Sequence, residues 1–144
     1  MKNYSKLNVY LSNLAVLNVN FHNLHWNVEG ERFKEVHEYL EEQYDEFFEQ
    51  YDAVAELLKM KGEKPLVKLT DYLKIATIHE LDKDKFTGLE AIQVAYDSIK
   101  DMNNLAIEIR NDADDEGDFG VVAVFEDYVA GFAKQLWFMK SMLA

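Results

Sequence analysis

The chain has 144 residues, of which 49% are hydrophobic, which predicts one domain over residues 1–144 with a core of its own. Asp and Glu outnumber Lys and Arg by 27 to 15, and the resulting net charge of −12 disfavours binding to nucleic-acid phosphates. The absence of cysteine excludes disulfides, thiolate metal sites and cysteine nucleophiles. At the N-terminus, asparagines interrupt the apolar stretch, and no apolar run approaches the ~20 residues that cross a bilayer. We therefore expect a cytoplasmic protein without a signal peptide or a membrane span.

The predicted elements are four long helices and one short helix. Apolar residues recur every three or four positions, and Gly30, Gly62 and Pro65 provide stops. The long helices are predicted over four ranges: Ser5–Val28, Arg32–Lys61, Gly88–Asn111 and Val121–Leu143. A short helix is predicted over Thr70–Ile75, "NDADDEGDFG" is predicted to be an acidic turn, and no segment alternates like a strand. This order predicts an all-α, ferritin-like four-helix bundle with a short extra helix in the long crossover between the second and third helices.

Three of the four histidines lie within "HNLHWNVEGERFKEVHEYLEE", on both sides of the predicted turn at Gly30. His25 lies five residues before this glycine and His37 seven after it, so the two stand at similar heights on adjacent antiparallel helices. Glu41 follows His37 by four residues and shares its helix face. Imidazole together with carboxylate favours zinc, iron or manganese over calcium.

A second pair of carboxylates, Asp52 and Glu56, lies further along the second helix. The eleven residues from Glu41 to Asp52 turn through ~1100°, which is three turns plus ~20°, so both point the same way. The same eleven residues rise by ~16 Å, whereas a metal–ligand bond is ~2 Å long. One straight helix therefore cannot bring both pairs to one metal ion.

Two copies of the chain can bring the pairs together. A second chain lying antiparallel across a two-fold axis near residues 46–47 places Glu56 of the partner subunit beside His37 and Asp52 of the partner subunit beside Glu41. Such an isologous dimer has two identical metal sites, one at each end of the helix pair. Its apolar middle is predicted to contain two aromatic residues: Tyr44 and Phe48.

Simpler interpretations exist for each part of this pattern. A His–Glu pair on a helix surface is commonly a solvated ion pair, and Asp52 with Glu56 is commonly an exposed acidic face. His22 is expected to be a packed neighbour of the site, His79 a surface residue, and the two tryptophans core or interface residues. What favours metal binding is the joint register of five residues: His25, His37, Glu41, Asp52 and Glu56.

Four segments resemble the Dps family, the dodecameric mini-ferritins. "HNLHWNVEGERFKEVH" resembles the N-terminal signature, with a His-Trp pair, Gly-x-x-Phe and a second His twelve residues after the first. "YDAVAELLKMKGEKP" resembles the second segment, and "DEGDFG" and "QLWFMKSMLA" resemble the late turn and the C-terminal helix. The resemblance implies a shell of twelve subunits that oxidises Fe(II), preferably with hydrogen peroxide, stores Fe(III) mineral and protects against oxidative stress.

The resemblance also implies roles for individual residues. The iron ligands fall on His25, His37 and Glu41 of one subunit and on the Asp52–Glu56 pair of its two-fold neighbour. Trp26 matches an aromatic residue that intercepts radicals beside the ferroxidase site. Glu41 stands where the family usually has Asp, and its extra methylene is expected to shift metal affinity.

DNA-binding members of the family often carry a Lys-rich N-terminal extension. Here "MKNYSK" offers only two lysines, which we expect to precede the first helix, and we therefore expect no direct DNA binding. Two alternatives remain open: a helical interaction bundle in which the His/carboxylate cluster is incidental, and a Dps-like shell with weak ferroxidase activity that binds metal or coats DNA.

Overall fold

Five helices account for most of the chain in a computed structural model, which describes residues 4–144. They are α1 (Ser5–Asn27), α2 (Phe33–Met60), α3 (Leu69–Ile75), α4 (Gly88–Asp115) and α5 (Phe119–Leu143). α1 packs mainly on α2, α4 packs mainly on α5, and the short α3 lies against α1. No helix among the described residues is both long enough and apolar enough to cross a membrane. The predicted all-α bundle with a short helix in its crossover is confirmed.

The predicted apolar stripe of α1 forms one wall of the core. All six of its members are buried: Leu7, Leu11, Leu14, Leu17, Phe21 and Leu24. Phe21 meets Phe47 of α2 edge-on, with ring centroids 4.8 Å apart. Burying a Leu or Phe side chain stabilises a fold by about 1.5–3 kcal/mol, so this contact anchors the α1–α2 pair on which the histidines lie.

The turn between α4 and α5 is shorter than expected. α4 continues four residues beyond Asn111 because Ala113, fully buried, extends the core stripe one turn past Ile109. α5 begins at Phe119, since the Asp118 side chain accepts a hydrogen bond from the amide of Val121 and so caps the helix. The prediction of a turn over all of "NDADDEGDFG" is therefore wrong for its first five residues and for its last two.

The expectation that the chain contains no strand is also wrong. Val28–Glu29 pairs in parallel with Phe86–Thr87, and these are the two strands of the described residues. Each strand is only two residues long, too short to produce an alternating pattern in the sequence. The pair joins the α1–α2 turn to the end of the crossover.

Buried asparagines of α1 bind the main chain of the crossover. The Asn13 side-chain oxygen accepts hydrogen bonds from the amides of Thr77 and Ile78, at 2.8 and 3.2 Å. The Asn20 side chain bonds in the same way to the amide of Leu81. The asparagines that interrupt the N-terminal apolar stretch thus provide partners for a segment without regular structure, whose buried polar groups need them.

Candidate metal centre

His25 and His37 lie face to face where α1 ends and α2 begins. Their rings are stacked with centroids 3.6 Å apart and planes 9° apart. The turn between them passes through Gly30, whose φ of 105° is a conformation that glycine adopts without a steric penalty. The structure therefore places the two histidines together, as their distances from the turn predicted.

Each histidine is oriented by the main chain of the other. His25 Nδ1 lies 2.6 Å from the carbonyl oxygen of His37, and His37 Nδ1 lies 2.7 Å from the carbonyl oxygen of His25. A carbonyl oxygen can only accept a hydrogen bond, so each Nδ1 carries a proton and donates it. In the neutral ring this leaves the lone pair on Nε2, the arrangement in which protein histidines bind metals.

Glu41 adds a carboxylate to the histidine pair. Its Oε1 lies 3.9 Å from Nε2 of His25, and its side chain is 56% exposed, against 7% for that of His25. One chain therefore brings together two imidazoles and one carboxylate at the edge of the bundle. Residues 4–144 contain no group of three or more His, Asp or Glu side chains that is already arranged to hold a metal ion.

Asp52 and Glu56 are not brought to the histidines within one chain. Both are exposed and lie on α2, which runs without interruption from Phe33 to Met60. The rise of ~16 Å between Glu41 and Asp52 therefore applies. The role of these two residues as ligands stays a prediction.

Two aromatic residues and a third histidine adjoin the pair. His22 stacks on Tyr44 with ring centroids 3.9 Å apart, and Trp26 lies 5.4 Å from His22. Trp26 is 67% exposed and Trp137 is 65% exposed, so of the two expected locations, core or interface, only the interface remains, and it stays a prediction. His79 is exposed, as expected.

Tyr44 contacts the site in a way that the sequence analysis did not predict. Its hydroxyl donates a hydrogen bond to Oε1 of Glu41 at 3.3 Å. Burial, followed by the negative charge of Glu41, raises the pKa of Tyr44, so the hydroxyl remains a donor at neutral pH. The signal available in the sequence was the three-residue spacing of Glu41 and Tyr44, which places them on one helix face.

The fold is that of the ferritin-like class. A family model described as "Ferritin-like domain" matches residues 4–144. The chain is 31% identical, over the full length of both chains, to the DNA protection during starvation protein of Helicobacter pylori. It is similar to the crystal structure of Helicobacter cinaedi CAIP, with a TM-score of 0.95, 35% identity, and coverage of 97% of this chain and 98% of that chain.

A further solved structure is the Dps protein of Vibrio cholerae O1, described as a member of a broad superfamily of ferritin-like diiron-carboxylate proteins. The TM-score is 0.93 at 29% identity, with coverage of 97% of this chain and 87% of that chain. This chain belongs to the Dps family of ferritin-like proteins, as the resemblance of its four segments implied.

Proposed function

We propose that this chain is the subunit of a hollow homo-oligomer of twelve copies that oxidises Fe(II) with hydrogen peroxide and stores the Fe(III) product. The observation that carries the proposal is the reciprocally hydrogen-bonded pair of His25 and His37, with Glu41 beside it. Iron is the substrate of this site as well as the stored material. The Vibrio relative's description as diiron-carboxylate supports the choice of iron.

The proposed site is completed by a second subunit. The other ligands are Asp52 and Glu56 of the partner subunit, which are exposed in the isolated chain. Between the two halves of the site, Phe48 is 70% exposed, and it borders an apolar groove between α1, α2 and α3. A second copy packed on this groove removes the apolar surface from water and brings the two half-sites together.

The chemistry balances with two irons and one peroxide. Each Fe(II) gives one electron, and hydrogen peroxide takes up two electrons and two protons to form two waters. Paired oxidation avoids the one-electron reduction of peroxide that releases hydroxyl radical. Trp26, exposed and close to the site, is suited to intercept a radical that escapes. Removal of Fe(II) and peroxide together protects against oxidative stress.

Direct DNA binding is not part of the proposal. Of the two N-terminal lysines, Lys2 lies outside the described residues. Lys6 lies inside α1, not before it, and its ammonium group is 2.7 Å from a carboxylate oxygen of Asp112. The net charge of −12 disfavours contact with DNA phosphates. We therefore propose that this protein protects DNA by removing Fe(II) and peroxide, and that it does not coat DNA. We also propose a cytoplasmic location for the assembled shell.

The proposal is tested by adding Fe(II) with limiting hydrogen peroxide and following Fe(III) absorbance and particle size together. We expect about two Fe(II) oxidised per peroxide, and a particle far larger than the 16.8 kDa chain. A His25→Ala/Asp52→Ala variant should oxidise iron at least tenfold more slowly, in line with the loss of metal ligands. The control is His79→Ala, which removes an exposed histidine from the crossover and should match the wild type.

Three outcomes each contradict one part of the proposal. If the wild-type protein forms no large particle, the shell is excluded, and so is the storage of iron inside it. An assembled double variant that oxidises iron at the wild-type rate excludes the assigned site. A shift of DNA mobility at low salt contradicts the expectation for the N-terminus.

A further inference from the structure

Tyr44 touches two residues of the proposed site from within the same subunit. Its hydroxyl donates to Oε1 of Glu41 at 3.3 Å, and this same oxygen lies 3.9 Å from Nε2 of His25. The Tyr44 ring also meets the His25 ring edge-on, with centroids 5.2 Å apart and planes at 87°. Tyr44 therefore contacts the carboxylate and one of the two imidazoles.

His22 holds the Tyr44 ring on its other side. The two rings stack at 3.9 Å with planes 21° apart. His22 itself is fixed, because its Nδ1 donates to the carbonyl oxygen of Asn18 at 2.6 Å, one turn earlier on α1. A ring with one face stacked and one edge packed has few orientations left, so the direction of the Tyr44 hydroxyl is set by α1 as well as by α2.

Glu41 has few other restraints in this structure. Its side chain is 56% exposed and has three rotatable bonds, so it would otherwise sample many positions in water. A hydrogen bond from a fixed donor narrows that range before a cation arrives. Partners of this kind orient the ligands of metal sites in proteins.

We propose that Tyr44, held in place by His22, is a positioning residue that directs the Glu41 carboxylate toward Nε2 of His25. This inference rests on the proposed metal site and adds to it a residue that binds no metal itself. It assigns a role to His22, which the sequence identified only as a neighbour of the ligands, and to the tyrosine expected only as interface packing.

The test is a calorimetric titration of the assembled, full-length protein with Co(II), together with the visible absorption of the bound ion, which reports its ligand geometry. Tyr44→Phe keeps the ring and removes the donor. We expect about tenfold weaker binding and a changed Co(II) spectrum at unchanged particle size. His22→Leu removes the stacked ring and should also weaken binding, but by less than Tyr44→Phe, because the hydroxyl donor is kept.

The matched control is Tyr10→Phe. Tyr10 lies on α1, about four turns before His25, and its hydroxyl donates a hydrogen bond to Oε1 of Gln50. This variant also loses one tyrosine hydroxyl, but it should bind Co(II) like the wild type. If both Tyr→Phe variants bind Co(II) with wild-type affinity, the role of Tyr44 is excluded while the metal site stands.

A double-mutant cycle shows whether Tyr44 acts through Glu41. In a Glu41→Ala background, Tyr44→Phe should cause no further loss of Co(II) affinity. An equal loss in both backgrounds overturns the inference, since Tyr44 then acts through another residue. A wild-type protein that binds no Co(II) overturns the proposed metal site together with this inference.

Discussion

His25 and His37 serve the fold as well as the proposed site. α1 ends at Asn27, so the His25 carbonyl belongs to the last turn, whose carbonyl oxygens lack partners within the helix. The His37 ring supplies one of these missing partners, at 2.7 Å. The contact that fixes the tautomer of His37 therefore also completes the hydrogen bonding at the end of α1.

This dual role predicts a loss of stability when no metal is present. In the presence of a chelator, His37→Ala should lower the free energy of unfolding by about 1–3 kcal/mol, because the His25 carbonyl loses its partner and His25 loses its stacked ring. Urea denaturation measures the change. His79→Ala should stay within about 0.5 kcal/mol of the wild type. Equal stability of the two variants would show that these histidines act only as ligands.

At the residue scale, spacing alone predicted which side chains come together. The distances of His25 and His37 from Gly30, and the four-residue step to Glu41, were sufficient because regular helices fix height and direction. The hydrogen bonds of the two Nδ1 atoms and of the Tyr44 hydroxyl were not predictable, since they depend on side-chain torsions. The role of Asp52 and Glu56 remains a prediction because it depends on a second chain.

At the scale of elements, the start of α4 packs closely against the start of α2. A Cβ atom on Gly88 would lie 2.9 Å from Cβ of Arg32 and 3.5 Å from Cγ2 of Val36. The first of these atoms is attached directly to the main chain and cannot rotate away. Val36 immediately precedes His37, so the packing of α4 against Val36 helps to fix the position of the His37 main chain.

Two Gly→Ala substitutions are expected to have opposite effects. Gly88→Ala should lower the free energy of unfolding by about 1–3 kcal/mol, because α4 must move away from α2. Gly131→Ala, within α5, meets no atom within 4 Å and should raise it by about 0.5–1 kcal/mol, since alanine favours the helix. Urea denaturation of both variants decides the matter. A Gly88→Ala protein as stable as Gly131→Ala would contradict the close packing of α2 and α4.

Sequence periodicity predicted the helices well and their ends less well. All six predicted positions of the α1 stripe are buried because they recur every three or four residues, whereas the buried Tyr10 and Val16 of the same helix were missed. The end of α4 was missed because Ala113 contributes a small apolar signal among charged residues, although it is fully buried. The two short strands were missed because main-chain hydrogen bonds between distant segments leave no local pattern.

At the scale of the whole molecule, the central claim is that one metal site needs two subunits. His37 and Glu41 of the histidine half-site lie at one end of α2, next to His25 of α1, and the carboxylate half-site lies further along α2, with Phe48 exposed between them. Neither half supplies the four to six ligands usual for iron or zinc. Activity should therefore depend on which subunits face each other.

Mixed assemblies test this claim most directly. One variant, His25→Ala/His37→Ala, retains the carboxylate half-site, and the other, Asp52→Ala/Glu56→Ala, retains the histidine half-site. Each alone should form inactive shells. When the two are unfolded together and reassembled in equal amounts, half of the two-fold pairs are mixed and each has one intact site, so about a quarter of the wild-type iron oxidation rate should return. A mixture as inactive as its two components would contradict a site shared between subunits.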